Sequence, residues 1–265
     1  MADTMVATVN KFVERIEVNE SLSSDELAAK LEPFDSFWQA PDDIESGYAK
    51  FDAYYKANFL PLMPADRNTN ILVISCGPGY LVKVLSEAGY RNLLGIDSFP
   101  DKIAFAEKHA LHCRVERGFE HLAGHHDEYD VIFAEQELNH LTLDESLSFL
   151  ALCRKSLHKD GLLVVYAMNG AHPLYGAENL AHNIDHFYTV TEFSLGQIMS
   201  AGGFKDIKIH PLKLYVFWKN PMNYVGLAIT GLIDLTIKML FKLYAKDVKV
   251  LTKKIAASGR NPGHD

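Results

Sequence analysis

Short, continuously apolar runs alternate with helical segments between residues 71 and 217, and this alternation constrains the fold more than any other feature. The runs are ILVIS (71–75), LLGID (93–97), CRVER (113–117), DVIFAE (130–135), LLVVYA (162–167) and IKIHPLKLYVF (207–217). Strands that are apolar on both faces need helices on both sides of a parallel sheet. The chain is therefore predicted to be an α/β protein with a doubly wound, Rossmann-like sandwich. A ligand of such a sheet binds beyond the carboxyl ends of the strands.

The position of that alternation divides the chain into three parts. Residues 1–67 are predicted to form an N-terminal helical cap, because they contain the capping-box pattern Ser23-Ser24-Asp25-Glu26 and an aromatic stripe at helical spacing. The stripe, which is expected to pack in the core, consists of Tyr48, Phe51, Tyr55 and Phe59. Residues 68–218 form the predicted core, in which 169–190 is long enough to be a lid over a site. Residues 219–265 are predicted to be a basic, amphipathic helical extension.

Composition excludes several classes of protein. With 48% hydrophobic and 23% charged residues, the chain has the make-up of a globular domain and not of a disordered or fibrous protein. Its three cysteines, Cys76, Cys113 and Cys153, form no CxxC pair, so neither a disulfide framework nor a metal site is predicted. The N-terminus has acidic residues and no uninterrupted apolar stretch, which is untypical of a secretory signal. We therefore expect a cytoplasmic protein.

Charge is unevenly distributed along the chain. The net charge is −8, but eleven basic and four acidic residues from Lys205 onward give a balance of +7 and leave −15 for residues 1–204. An acidic body is a poor surface for nucleic acid, whose phosphates bind clustered Lys and Arg, so no nucleic-acid partner is expected. Charged residues interrupt the apolar stretch Val225–Leu243, and no membrane-spanning helix is expected.

The helical extension after Pro221 leaves two arrangements open. Asp234, Lys238, Lys242 and Lys246 follow at four-residue steps and form one charged stripe on an otherwise apolar helix. Such a helix must bury most of its circumference. It does so either against its own domain or a second subunit, as in a homodimer, or by peripheral docking to an anionic membrane surface.

A glycine-rich turn and an acidic residue predict a nucleotide-type site. The first apolar run leads into Cys76-Gly77-Pro78-Gly79-Tyr80, where glycines let the backbone approach a ligand and the following helix offers unpaired N–H groups. Asp97 ends the second run about twenty residues later, where a carboxylate can accept both hydrogen bonds of a ribose diol. Val82 stands where a dinucleotide fingerprint has its third glycine, so NAD is disfavoured. The alternative for Asp97 is a helix-capping role.

Four segments in order, ILVISCGPGYL, GIDSFPDKIAFAEKH, YDVIFAEQELNHL and SLHKDGLLVVY, resemble the successive motifs of class I S-adenosylmethionine-dependent methyltransferases. The resemblance covers roughly Asn70 to Phe217 and implies a methyltransferase with S-adenosylmethionine as cofactor. In that family the glycine loop passes the methionine part, the acid after the second strand holds the ribose, residues after the third strand flank the adenine, and the fourth strand ends near the methyl group. The cofactor-binding residues implied in this way are Ser75, Gly77, Gly79, Asp97, Ser98, Gly118, Phe119, Glu120, Glu135 and Gln136.

Departures from the family pattern keep other functions open. The chain has Val73 where the family usually has an acid and Ser75 where it has glycine. Loss of the acid removes an anchor for the loop or for the cofactor's ammonium group, and Glu135 is a substitute. Phe119 stands where the family often has Asp, which favours stacking on adenine. A cofactor-binding protein that no longer transfers methyl groups is therefore an alternative, whereas a nicotinamide oxidoreductase is disfavoured by Val82.

Histidines supply the candidate general bases. Transfer to a hydroxyl acceptor is helped by a base, and imidazole is suited to that role near neutral pH. His140 follows the fourth apolar run, and His172 and His186 lie in the predicted lid. His186 is the preferred base, and packing or capping is the alternative role of each histidine. The sequence from Asp185 to Phe204 resembles the lid and following helix of bacterial methyltransferases of surface-glycan biosynthesis, which implies a glycan or small-molecule hydroxyl as acceptor.

Overall fold

The computed structural model describes residues 41–181, 186–214 and 221–263. Within them the strands are β1 Ile71–Ile74, β2 Leu93–Asp97, β3 Cys113–Val115, β4 Tyr129–Glu137, β5 Leu157–Met168, β6 Lys205–Pro211 and β7 Lys254–Arg260. The helices are α1 Pro41–Lys50, α2 Asp52–Asn58, α3 Tyr80–Glu87, α4 Pro100–Lys108, α5 Gly118–Gly124, α6 Leu143–Ser156, α7 Gly176–Ala181, α8 Glu192–Ala201 and α9 Met222–Leu243.

All of these strands belong to one sheet in the order β3-β2-β1-β4-β5-β7-β6. Strands β1 to β5 are parallel, and β7 runs antiparallel to both of its neighbours. The strand order reverses between β1 and β4, so the carboxyl ends of these two strands open a crevice. The predicted doubly wound, Rossmann-like sandwich is confirmed.

The core lies on both faces of the sheet, as the unbroken apolar runs predict. In β1, Leu72 and Ile74 belong to one buried apolar cluster, whereas Ile71 and Val73 belong to the cluster on the opposite face. Neighbouring residues of a strand point to opposite faces, so both faces must be apolar. This arrangement leaves the polar ends of the strands, and not their middles, to build a site.

The C-terminal part differs from the prediction. Residues Lys254–Arg260 form β7 between β5 and β6, so the prediction of a helical extension over 219–265 is wrong for this segment. Small side chains make KIAASGR a weak strand signal, although Ala256 and Ala257 are completely buried between the two neighbouring strands. The core therefore includes a strand from beyond the predicted boundary at residue 218. Strand β6 ends at Pro211, and residues 215–217 of the predicted run lie outside the described residues.

Helix α9 connects β6 to β7 and has no buried residue. By length and composition it could cross a membrane, and only 6% of its most apolar stretch is buried. This differs from the sequence-based expectation, because the charged residues lie along one side of the helix. The capping box predicted at Ser23–Glu26 lies outside the described residues.

Candidate active site

The turn after β1 contains three residues in the left-handed backbone conformation. Ser75, Gly77 and Gly79 have φ angles of 54°, 54° and 82°. A Cβ atom on Gly79 would lie 2.9 Å from the side chain of Leu111, whereas a Cβ on Gly77 would have no atom within 4 Å. Gly79 is therefore needed for packing, and Gly77 borders open space. Ser75 keeps the conformation for which glycine is favoured, and its side chain faces two cavities.

Asp97 ties this turn to the end of β2. Its carboxylate is buried and accepts hydrogen bonds from the backbone N–H groups of Gly77, at 2.8 Å, and Phe99, at 2.9 Å. The same side chain lines a small cleft at the carboxyl end of β2 together with Ser75, Ser98 and Gly118. The structure thus brings together four of the residues predicted to contact the cofactor. Each carboxylate oxygen can accept more than one hydrogen bond, so its bonds to the turn are compatible with ribose binding.

The prediction for the residues after β3 needs correction. Phe119 is 2% exposed and packs against Phe149 in the core, with ring centroids 5.6 Å apart, so stacking of Phe119 on adenine is wrong. Glu120 is exposed and pairs with Arg117 at 3.5 Å. Glu116 and Arg117 line the cleft instead. The side chain of Gln136 lies outside the described residues, so its predicted contact is not located.

A larger cavity of about 440 Å³ lies on the other side of the turn. Its walls come from the turn itself, the N-terminal helices, the ends of β4 and β5, and the segments that flank β6 and β7. The lining residues are Phe51, Tyr54, Tyr55, Phe59, Ser75, Cys76, Gly77, Pro78, Tyr80, Lys102, Glu135, Tyr166, Leu212, Leu214, Lys253 and Lys254. Ser75 and Gly77 border this cavity and Ser75 also borders the cleft at Asp97, so one ligand could occupy both.

Glu135 is the acidic residue at the end of β4 in this cavity. One carboxylate oxygen, Oε2, accepts a hydrogen bond from the hydroxyl of Tyr55 at 2.5 Å, and the other, Oε1, is buried with no hydrogen-bond partner. Burial raises the pKa of Glu135 to about 8, although the bond from Tyr55 opposes this effect and the charge of Asp97 adds to it. Burial also raises the pKa of the Tyr55 hydroxyl well above its usual value. The tyrosine therefore stays a proton donor while the carboxyl group titrates near neutral pH.

Sequence reasoning assigned the aromatic stripe to core packing, and only part of that interpretation is right. Tyr48 and Phe59 are buried, whereas Phe51, Tyr55 and also Phe59 line the large cavity. The helical spacing indicated that these side chains share a face. It did not indicate that this face lies against the end of β4.

None of the three predicted histidines lines the large cavity. His140 and His186 are buried against each other, with ring centroids 4.7 Å apart. The Nδ1 atom of His186 donates to the carbonyl oxygen of Asn179 at 2.6 Å, and its Nε2 atom is buried without a partner. His172 faces a second cavity and pairs through Nε2 with Asp234 of α9 at 3.3 Å. The structure thus brings His140 and His186 together, and neither of them lines the cavity or the cleft beside the glycine turn.

Comparisons with known proteins agree with this geometry. The family model of a methyltransferase domain matches residues 71–161. A structure of an S-adenosylmethionine-dependent methyltransferase from Archaeoglobus fulgidus aligns with a TM-score of 0.60 at 19% identity, over 83% of this chain and 100% of that one. No curated protein matches the chain.

Two further structures were determined with the cofactor or its product. Phosphoethanolamine N-methyltransferase 2 of Haemonchus contortus, in complex with S-adenosylmethionine, aligns with a TM-score of 0.53 at 14% identity, over 87% of this chain and 60% of that one. The plantazolicin methyltransferase BpumL, in complex with S-adenosylhomocysteine, aligns with a TM-score of 0.50 at 20% identity, over 90% of this chain and 97% of that one. At these identities the likeness concerns the fold.

Proposed function

The chain carries a class I S-adenosylmethionine-dependent methyltransferase domain, and we propose that it transfers the methyl group to a hydroxyl oxygen of a small molecule or glycan intermediate. The observation that carries this proposal is the partly buried Glu135 side chain at the wall of the cavity, with Oε2 bonded to Tyr55 and the buried Oε1 without a partner.

The residues around the glycine turn fit the cofactor. The space beside Gly77 is open, and Asp97 lines the adjoining cleft, so the turn would hold the methionine part and Asp97 the ribose. Glu116, Arg117 and Gly118 would flank the adenine. When bound, S-adenosylmethionine supplies an electrophilic methyl group on a sulfonium centre.

Glu135 then has the position and the pKa of a general base. A base is most useful when its pKa lies close to the working pH, and the pKa of Glu135 is about 8. The hydroxyl of Tyr55 holds Oε2 in place, and because Glu135 lines the cavity, its carboxylate would accept the proton of an acceptor hydroxyl. The role that sequence reasoning gave to His186 therefore passes to Glu135, because the described part of the cavity wall contains no histidine.

The walls of the cavity restrict the acceptor. Phe51, Tyr54 and Tyr166 present aromatic surface, which sugars and ring compounds can stack upon and which excludes water from the transfer. Lys253 and Lys254 lie at the same cavity, with the Lys254 ammonium group 5.5 Å from the centre of the Tyr166 ring. Lysines favour an acceptor that carries a phosphate or carboxylate group.

The decisive experiment compares wild type with Glu135→Gln in two assays. The first is transfer of a labelled methyl group to a panel of hydroxyl, amine and carboxylate acceptors, and the second is calorimetric titration with S-adenosylhomocysteine. A general base predicts that turnover falls by about 100-fold or more while cofactor affinity is nearly unchanged. A role as anchor of the cofactor's ammonium group predicts instead that affinity falls with turnover.

Two outcomes would contradict the proposal. Transfer to amines but not to hydroxyls would show that the acceptor class is wrong. Cofactor binding without transfer to any acceptor, in a panel that includes anionic sugars, would favour the alternative of an inactive cofactor-binding protein, for which Val73 is the sequence evidence. Tyr55→Phe is the matched variant: it retains the aromatic wall, removes only the hydroxyl, and should lower turnover less than Glu135→Gln does.

A further inference from the structure

Helix α9 exposes a broad apolar face, which is unusual for a helix packed on a protein in water. The side turned towards the domain is mixed, since Thr230 and Asp234 line the second cavity together with Leu227 and Ile233. The opposite side carries the large apolar residues, of which Leu232 is 66% exposed and Leu243 81%. A helix on a water-soluble domain normally buries its apolar face and exposes its polar one. The outer face of α9 therefore needs an apolar environment.

The size of this face is unusual for a surface helix. The apolar residues of α9 and its end that are exposed are Met222, Tyr224, Val225, Leu227, Ile229, Leu232, Ile233, Leu235, Met239, Leu240, Leu243 and Tyr244. At 100° per residue they occupy more than half of the circumference. Contiguous apolar patches of this kind mark contacts with a membrane or a protein.

The topology of the sheet excludes a helix that spans the membrane. Pro211 at the end of β6 is paired with Ile255 in β7, so both ends of the connection that contains α9 start from the same edge of one sheet. The return segment comprises residues 244–253, and its end is fixed to the domain: Tyr175 donates to the carbonyl of Leu251 at 2.5 Å, and Asn169 donates to that of Thr252 at 2.8 Å. A spanning helix would need this polar segment to cross the membrane as well.

Contacts at the middle of α9 also fix it alongside the domain. Asp234, halfway along the helix, pairs with the buried His172 at 3.3 Å, so α9 lies against the protein and does not project from it. A helix of 22 residues in this position presents about 33 Å of apolar face to its surroundings. This is the geometry of a helix that lies in the plane of a membrane interface.

Charge identifies the kind of surface. At 100° per residue, Lys238 and Lys242 lie about 40° and 80° around α9 from Asp234, towards the border with the apolar face, and Lys246 and Lys249 follow the helix. Lysines at the border of an in-plane helix reach the headgroups of anionic lipids. Two α9 helices paired in a symmetric dimer would bring two basic stripes close together, which is unfavourable. Anionic lipid complements this charge, and the acidic body, with a balance of −15 over residues 1–204, stays away from the surface.

We propose that α9 docks the enzyme on an anionic lipid bilayer, with its apolar face in the interface and its lysines among the headgroups. The helix also covers a cavity of about 460 Å³, lined by Leu227, Thr230 and Ile233, which shares Leu212, Leu214 and Lys253 with the cavity at Glu135. Docking would thus place the entrance of the catalytic cavity at the lipid surface. This last step depends on the proposed function, whereas docking itself does not.

The test is flotation of the full-length protein with vesicles of phosphatidylcholine, with and without phosphatidylglycerol. Wild type should float with the anionic vesicles, less so as salt is added, and only weakly with the neutral ones. Replacing Lys238, Lys242 and Lys246 by Gln should lower the partition coefficient by about tenfold or more. The matched control replaces the exposed lysines Lys108, Lys155 and Lys159 by Gln, and should have little effect.

A second variant tests the apolar face. Replacing Leu232, Leu235 and Met239 by Ser changes exposed side chains only, so folding and binding of S-adenosylhomocysteine should persist while binding to vesicles is lost. Phe193→Ser, at an exposed apolar residue of α8, is its control. Equal partitioning into neutral and anionic vesicles would overturn the proposal. Light scattering distinguishes a second copy of the chain as the partner. If wild type is a dimer that does not bind vesicles, and the serine variant is a monomer, the apolar face of α9 is a dimer interface. If the protein binds anionic vesicles but transfers no methyl group to any acceptor, only the proposed function is contradicted and membrane docking stands.

Discussion

Replacing Glu135 by Gln should stabilise the protein at alkaline pH. The pKa of this carboxyl group rises from 4.5 to about 8 in the folded state, chiefly through burial. The folded state therefore disfavours the charged form, and stability is lost as pH rises from the unfolded pKa towards the folded one. At about 1.4 kcal/mol for each pKa unit, the loss between pH 5 and pH 9 approaches about 4 kcal/mol. Gln has the same shape, can still accept the hydrogen bond from Tyr55, and carries no charge.

Urea unfolding at pH 5 and pH 9 measures this effect. The free energy of unfolding of Glu135→Gln, relative to wild type, should be higher at pH 9 than at pH 5 by up to about 4 kcal/mol. If unfolding is irreversible, the midpoint temperatures should diverge by several degrees in the same direction, since about 1 kcal/mol shifts the midpoint by about 2–4 °C at this size. Glu87→Gln is the control, because ion pairs with Lys83 and Lys56 lower the pKa of Glu87. If the free energies of unfolding of Glu135→Gln and wild type differ by the same amount at pH 5 and pH 9, the argument that burial raises the pKa of Glu135 is refuted.

Two further substitutions test the cofactor site, and a third tests the assignment of the general base. Asp97→Ala should weaken binding of S-adenosylhomocysteine by about tenfold or more in calorimetry, because charge-assisted hydrogen bonds are worth roughly 1.5–3 kcal/mol, and unchanged affinity would remove its assigned role. Ser75→Gly should raise the free energy of unfolding by about 0.5–1 kcal/mol, since the φ of 54° at this position favours glycine, and it should lower cofactor affinity. A lower free energy of unfolding would show that the contacts of the Ser75 hydroxyl outweigh the backbone strain. His186→Gln should lower stability and leave turnover nearly unchanged, because His186 does not line the cavity at Glu135; a fall of about 100-fold in turnover would restore it as the base.

Local chemistry made the proximity of the glycine turn and Asp97 predictable from sequence. A glycine turn must follow a strand closely, and an acid at the end of the next strand lies beside that turn whenever the strands are adjacent and parallel. The bond from the Gly77 N–H to Asp97, 20 positions later, has this origin. Phe119 was misassigned because sequence alone does not say which face of a helix points inward, and α5 turns this ring into the core.

The acceptor side was not predictable, since it is assembled from distant parts of the chain. Tyr55 and Glu135 are 80 positions apart and meet only because α2 packs over the end of β4. Lys254 reaches the same cavity from β7, a strand whose small side chains gave no strong signal. Sequence periodicity likewise found the charged stripe of α9, but it did not show that a broad apolar face of this helix is exposed, because amphipathic patterning implies that such a face is buried in a soluble domain.

The departure from the family pattern at Val73 explains why Glu135 Oε1 has no hydrogen-bond partner. With Val73 in place of an acid, no carboxylate of β1 can hold the glycine turn, and the turn is held instead from β2 by Asp97, which accepts from Gly77 at 2.8 Å. Glu135 lies on the other side, directly after the pairing of Ile74 in β1 with Ala134 in β4, and makes no hydrogen bond to the turn. Its Oε2 atom accepts from the hydroxyl of Tyr55 at 2.5 Å. Because anchoring of the turn falls to Asp97, the carboxyl group of Glu135 keeps a raised pKa at the cavity where the proposed hydroxyl acceptor would lose its proton.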